Sequence, residues 1–472
     1  MENCIDEPKN TEMTVRSPVI NFYNGKSIFI TGGTGFLGTV LIEKLLYTCD
    51  GIKKIYVLTK QKNGQTIEQR MTNYFNSRAF RRLRARCPNF ESKISPICGD
   101  IAQKNLGINE RDIATLINEV SVVFHVAARI SFNMDLSIAF NLNTRGTLEL
   151  VEICKQMREL TAFIYVSSAY SNCNRPVIEE KVYEMDVSVE AVCEILQHSK
   201  SNEYTEYLLN GRPNTYTYTK ALSELVIQRN SSILPCAIVR PSIIISSISE
   251  PEPGWLVGWS GINGIVNGGM NGYLNCGYSD PSVILDLIPV DYTANLIIAS
   301  AWDVSVIRDK GENNIKVFNC CSGMQNPITV GSLMSTALGL NRKNNKDLKT
   351  NTFFVNHKSG VMYYIHLFLL NVIPALLLDV TSWLLGKSRR LVLKWITVYN
   401  LRKLSQLMYF LHYFCLNEFI FIDKNVQRLY NSLEKTDKAL FNFDIKNVKW
   451  INALNDYTIG LNRQKEYLKR SY

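Results

Sequence analysis

Apolar and polar positions change their period several times along the chain, and each change predicts an element. Residues 26–30 (Lys-Ser-Ile-Phe-Ile) form a short apolar, β-branched run with the look of a buried parallel strand. Beyond it Val40, Leu41, Leu45 and Leu46 fall on a helical period, and 54–59 is strand-like again, which completes a β-α-β unit. Strand-like runs recur at 93–98, 121–126, 162–167, 236–240 and 316–320, with a helical run at 147–157 among them. Strands alternating with helices predict an α/β fold on a doubly wound parallel sheet. Residues 251–277, rich in glycine and carrying Trp255 and Trp259, read as a loop-rich wall over a pocket. A stretch dense in Asn and Lys from about 340 marks a linker. The predicted organisation is a flexible tail over 1–22, an α/β domain over 23–340, a linker over 341–353 and a mainly helical domain over 354–472.

The helical domain has its own pattern. Residues 361–378 are almost continuously apolar and nearly long enough to cross a bilayer, yet His366, Asn371 and Pro374 interrupt the run and Asp379 ends it. A transmembrane helix, an interfacial element and a soluble helix with a buried apolar face all fit. From 380 to 417 no acid occurs, while Lys387, Arg389, Arg390, Lys394, Arg402 and Lys403 supply bases, a pattern suited to the anionic cytosolic face of a membrane. A second apolar run at 404–422 is broken by Gln406, His412 and Glu418.

Composition narrows the classes. The 472 residues are 46% hydrophobic and 20% charged, which is a globular protein with a large core. The net charge of +10 suits an anionic substrate or a membrane surface, and no nucleic-acid motif accompanies it. Twelve cysteines without a C-x-x-C and five histidines without ligand spacing predict a reduced, cytosol-facing protein with no structural metal. Residues 1–15 lack the basic and apolar regions of a secretory signal.

The first β-α-β unit carries the first chemistry. Between its strand and helix lies Thr31-Gly-Gly-Thr-Gly-Phe-Leu-Gly38, whose glycines at 32, 35 and 38 permit a tight turn, close approach of a pyrophosphate and close helix packing. The helix start would aim N–H groups at phosphates. A Rossmann unit that binds NAD carries an acid about twenty residues past the glycines. Lys60 and Lys62 stand here instead, which favours a 2′-phosphate and hence NADPH, the alternative being two solvated loop charges. Asp100 ends the third strand where a carboxylate could meet the adenine, and Ala127 follows the fourth, where a small residue lets backbone pass a cofactor. His125 reads as a core histidine. Five arginines between Arg78 and Arg86 form either a solvated helix face or an attractor for CoA or lipid phosphates.

The reacting groups come later. Tyr216 and Lys220 are spaced i, i+4 on a predicted helix and share a face. An adjacent ammonium would lower the phenol pKa from its usual value of about 10 and could hold a nicotinamide ribose. A strand ending in Ser167-Ser168 places a hydroxyl where it could hydrogen-bond a carbonyl oxygen becoming an oxyanion.

Glycine loop, strand-end serine and Tyr/Lys pair together resemble the extended short-chain dehydrogenase/reductase superfamily. Within it the Thr31–Gly38 loop, Phe124-His-Val-Ala-Ala128, Asn143-Thr-Arg-Gly-Thr147, Tyr165-Val-Ser-Ser-Ala-Tyr170, Pro213-Asn-Thr-Tyr-Thr-Tyr-Thr-Lys220, Val239-Arg-Pro-Ser242, Ile288-Pro-Val-Asp291 and Phe441-Asn-Phe-Asp-Ile445 resemble the alcohol-forming fatty acyl-CoA reductases. The opening at 18–29, the loop at 60–62 and Phe419-Ile-Phe-Ile-Asp423 look most like the moth pheromone-gland members. The resemblance covers nearly the whole chain from about residue 20. It implies reduction of a long-chain fatty acyl-CoA to a primary alcohol by two hydrides from NADPH through a bound aldehyde, in sex pheromone biosynthesis, at the cytosolic face of the endoplasmic reticulum membrane. It implies catalytic roles for Ser168, Tyr216, Lys220 and Asn143, the last orienting a water beside the lysine. It implies cofactor contacts from Thr31, Gly32, Gly35, Phe36, Leu37, Gly38, Lys60, Asp100, Ala127, Tyr216, Lys220 and Pro241. The expected partners are the acyl-CoA and a membrane surface, with no nucleic acid and no metal, and no feature sets an oligomeric state.

Ser168 stands where the family often has threonine, Lys60 replaces a frequent arginine, and Leu274-Asn275 replaces a Leu-Arg, which puts a CoA contact there in doubt. Many animal members continue into a strongly apolar C-terminal helix. This sequence ends at Tyr472, so membrane attachment is expected from 361–422. The competing readings are another extended reductase acting on a sterol or a sugar nucleotide, and a non-catalytic NADPH-binding membrane scaffold.

Overall fold

A computed structural model describes residues 17–61, 64–198, 204–309, 315–344, 352–384 and 398–470. Seven parallel strands form the central sheet: β1 (Ser27–Thr31), β2 (Lys54–Thr59), β3 (Ile94–Cys98), β4 (Val120–His125), β5 (Ala162–Val166), β6 (Cys236–Pro241) and β7 (Lys316–Cys320). Their order is β7-β6-β5-β4-β1-β2-β3. This is the expected α/β architecture. The order reverses between β1 and β4, so loops leaving these two neighbours diverge and open a crevice at their C-terminal ends. β1 is buried at every position and β6 likewise, as the near-continuous apolar runs required of strands covered on both faces.

The N-terminal boundary moves. Residues 18–22, expected in the tail, belong to the helix Pro18–Tyr23, which starts with proline at a position needing no N–H donor and is capped by the Ser17 side chain on Ile20 N–H. Val19 and Tyr23 are buried, the Tyr23 hydroxyl donates to Ile298 O at 2.8 Å, and Ser17 bonds the carboxylate of Asp437. The linker boundary moves too, because 341–344 continue the helix Val330–Asn344, with Asn341 buried.

The C-terminal region packs into the α/β body. Ile420–Phe421 pairs in parallel with Val177–Ile178, and Val355–His357 pairs with Cys276–Tyr278. Val426, Leu429, Phe441 and Phe443 share one apolar core with Ile28, Val40 and Ile297. The region is mainly helical, as expected, but its core is not separate.

The apolar run forms one continuous helical stretch: Gly360–Leu367, a wider π turn at Phe368–Val372, and Ile373–Leu384. Tyr363, Leu367, Asn371 and Ala375, four residues apart, are buried against the body. Asn371, which looked like a flaw in a membrane span, anchors the helix: its side-chain oxygen accepts from Asn275 N–H at 3.3 Å and its amide donates to Tyr273 O at 3.2 Å. Val361, Phe368, Leu369, Leu377 and Leu384 lie on the other side, each at least half exposed. Lys387, Arg389, Arg390 and Lys394 lie outside the described residues.

Candidate active site

The glycine loop has the shape its spacing predicts. Gly32 takes φ +74°, and a Cβ there would stand 2.6 Å from Ala127 N. A Cβ on Gly38 would stand 2.2 Å from Gly32 O, so only glycine lets the helix Phe36–Thr48 start this close to β1. Gly35 caps that helix without a side chain, leaving its first N–H groups directed at the crevice. Thr31 Oγ1 bonds His125 Nδ1 at 2.7 Å, and His125 Nε2 bonds Thr147 Oγ1 at 2.9 Å. This confirms the core histidine, whose pKa burial pushes down to about 3, with the Lys220 charge adding to it. Leu37 is buried in the core, while Phe36 stacks on Trp255 at 5.3 Å, so the 251–277 segment does wall this end of the crevice. That segment is less loop-like than expected, since Ile262–Met270 is a helix. A glycine loop leading into a helix start that no side chain caps, at the switch point, fits a dinucleotide.

Lys60 and Asp100, assigned to opposite ends of the adenosine, form an ion pair at 2.5 Å. Lys62 lies outside the described residues. Of the arginine segment, Arg78 and Arg81 pair with Glu252, Arg82 pairs with Glu43 and Glu250, and Arg84 bonds carbonyls of Phe75 and Ser77. Arg78 and Arg81 remain exposed, as a solvated face requires, while Arg82 and Arg84 are half-buried in contacts that hold the structure.

Tyr216 and Lys220 stand on the helix Thr215–Arg229, which begins where Asn214 Oδ1 accepts from Thr217 N–H at 2.9 Å. Ser168 follows β5 and caps a single turn, accepting from Tyr170 N–H at 3.2 Å. The structure brings the Ser168 and Tyr216 side chains together, near enough for the serine hydroxyl to act on the phenol. Burial lifts the Tyr216 phenol to about 12, with the Ser168 hydroxyl acting against it. The expected lowering by Lys220 is not seen. The Lys220 ammonium donates to Val166 O at 2.7 Å and lies 4.8 Å from the Tyr165 ring, and burial brings its pKa down to about 7 against the pull of Glu224. Asn143 occupies a π turn, Phe140–Arg145, where its side chain accepts from Arg129 N–H at 2.9 Å and donates to Thr219 Oγ1 at 3.1 Å. It therefore ties the loop after Ala127 to the Tyr216 helix. Pro241 ends β6 beside Cys320.

Sequence reasoning missed Glu224 and Arg240. Their carboxylate and guanidinium are buried and joined by two bonds, 2.8 and 2.6 Å, and Glu224 also accepts from Ser167 and Ser171. The signals were there: Glu224 continues the Tyr216–Lys220 stripe by four residues, and Arg240 is a charge in an otherwise apolar strand.

A family model described as "Male sterility protein", an NAD-binding domain, matches residues 30–297, and a second of the same description matches 370–467. Fatty acyl-CoA reductase 1 of Xenopus laevis is 37% identical over 443 residues, 93% of this chain and 84% of that protein. The chain belongs to the fatty acyl-CoA reductase family. Fatty acyl-CoA reductase 2 of Mus musculus is 34% identical over 464 residues, covering 96% of this chain and 86% of that one. Among solved structures, the terminal R domain from the myxalamid PKS-NRPS pathway superposes with a TM-score of 0.62 at 16% identity, covering 93% of this chain and 91% of its own. The reductase domain of a nonribosomal peptide synthetase from Mycobacterium tuberculosis gives 0.60 at 16%, covering 94% and 92%. Both are likenesses of fold.

Proposed function

We propose that this fatty acyl-CoA reductase family member reduces a long-chain fatty acyl-CoA to the primary alcohol in two hydride steps through a bound aldehyde. The observation that carries the reading is the pairing of two neighbouring hydroxyls, Ser168 and Tyr216, with Lys220 one helical turn on, at the end of a dinucleotide crevice. A nicotinamide bound in that crevice supplies the hydride. Ser168 and Tyr216 hydrogen-bond the thioester carbonyl oxygen and stabilise the charge that grows on it. With its pKa near 12 the phenol holds its proton at neutral pH, the form in which it can donate to an alkoxide. Departure of the CoA thiolate leaves an aldehyde on the same two hydroxyls, and in the second round Tyr216 gives its proton to the alkoxide. Lys220 restores that proton and holds the cofactor ribose, while Asn143 keeps the loop and helix in register.

NADPH is the proposed cofactor, on the strength of Lys60 at the end of β2 where an acid would favour NADH. The exposed apolar face of 360–384 supports attachment to the cytosolic face of the endoplasmic reticulum membrane. Its opposite face is fixed to the protein through Asn371, which favours a helix lying in the interface over one that spans. The motifs at 18–29, 60–62 and 419–423 support a moth pheromone-gland type and a role in pheromone biosynthesis.

The test is purified protein with hexadecanoyl-CoA and NADPH. Hexadecanol should form with two NADPH consumed per alcohol, and Tyr216→Phe should lower turnover by about 10²–10⁴-fold while leaving NADPH binding intact. A Tyr216→Phe enzyme with unchanged turnover would overturn the role given to Tyr216, and a wild-type protein that binds NADPH but forms no alcohol would revive the scaffold reading.

A further inference from the structure

The two reacting hydroxyls are bordered by aromatic rings from three parts of the chain. The Phe132 ring stands edge-on to Tyr216, centroids 6.1 Å apart. Phe132 also meets Phe414, 6.0 Å away on the C-terminal helix Val398–Leu416. Phe414 in turn meets Tyr170 edge-on at 4.9 Å, and Tyr170 N–H is the donor to Ser168 Oγ. The path Tyr216, Phe132, Phe414, Tyr170 thus returns to the serine from which the hydroxyl pair is built. Tyr413, next to Phe414, donates its hydroxyl to Cys173 O at 3.0 Å, pinning this helix to the turn that follows Ser168. Phe414 and Tyr170 are buried, whereas Phe132 and Tyr216 are only partly so.

From this geometry we infer that Phe132 and Phe414 form the wall against which the first carbons of the acyl chain pack, so that Phe414 sets how much bulk is admitted beside the reacting carbon. The inference rests on the proposed reduction. A carbonyl oxygen held by Ser168 and Tyr216 places its own alkyl carbons within the next few ångströms, where the available surface is aromatic. Rings backed by other rings yield little, so a methyl branch next to the carbonyl meets Phe132, and Phe132 cannot retreat because Phe414 stands behind it. One extra methyl or methylene in an apolar pocket changes selectivity by about 10- to 200-fold.

The experiment is a competition between hexadecanoyl-CoA and 2-methylhexadecanoyl-CoA with the full chain and NADPH, reading the ratio of branched to straight alcohol. Phe414→Leu should raise that ratio by about 10-fold and Phe414→Ala by more. Loss of folding would lower both products together and leave the ratio alone. Phe132→Leu changes the partly buried member of the same wall, so it tests the inference if the Phe414 variants do not fold. An unchanged ratio in variants that still reduce the straight chain overturns the wall and spares the reductase. A wild-type protein that reduces neither substrate overturns the reductase reading itself.

Discussion

Glu224 and Arg240 face each other wholly buried, and between them they fix the serine turn to the Tyr216 helix. Glu224 accepts from Ser167, Ser171 and Arg240, while Arg240 also donates to the carbonyls of Glu179 and Lys181. Removing one charge leaves the other buried without its partner, which costs about 3–5 kcal/mol. Arg240→Met should therefore lower stability by that amount in chemical denaturation. Adding Glu224→Leu should recover part of the loss, because the double variant buries no lone charge. A double variant that loses as much again as the single one would contradict this account.

The glycine loop yields a graded prediction. Gly38→Ala places a methyl 2.2 Å from Gly32 O, a contact that backbone must move to relieve, whereas Gly35→Ala meets the same oxygen at 3.1 Å. Gly38→Ala should abolish NADPH binding in a fluorescence titration, and Gly35→Ala should weaken it measurably but less.

Lys220 makes stability depend on pH. Its folded pKa is about 7, against about 10.4 for an unfolded lysine. Between these values the unfolded chain holds the extra proton, so stability rises with pH across that window, and the full penalty is present below pH 7. Lys220→Met removes this contribution. The melting temperature of the wild type relative to Lys220→Met should rise from pH 7 to pH 10, and a constant difference would show that the lysine is not desolvated.

The exposed face of 360–384 should hold the protein on lipid. Phe368→Asp with Leu377→Asp changes residues that are 54% and 60% exposed, so the fold should be retained. Flotation with anionic vesicles should fall about 10-fold or more, given the cost of burying two carboxylates in an interface. Alcohol formation from detergent-dispersed acyl-CoA should be unchanged.

The sequence by itself determined the sheet and the motifs that carry the proposed reacting residues. Period and β-branching located all seven central strands, since buried parallel strands must be continuously apolar, and the Gly32–Gly38 and Tyr216–Lys220 spacings follow from turn and helix geometry local to each motif. Tertiary structure decided what depends on distant partners. It turned Lys220 toward Val166 O, paired Lys60 with Asp100, joined Glu224 to Arg240 and placed Phe414 behind Phe132. It also made Asn371 an anchor rather than a flaw, because a polar side chain in an apolar helix is read correctly only when the strand or loop it bonds is known. Local patterns encode period and turn chemistry. Charge environments and site walls arise from residues on separate elements, 16 positions apart for Glu224 and Arg240 and 54 for Lys220 and Val166, whose meeting is set by packing.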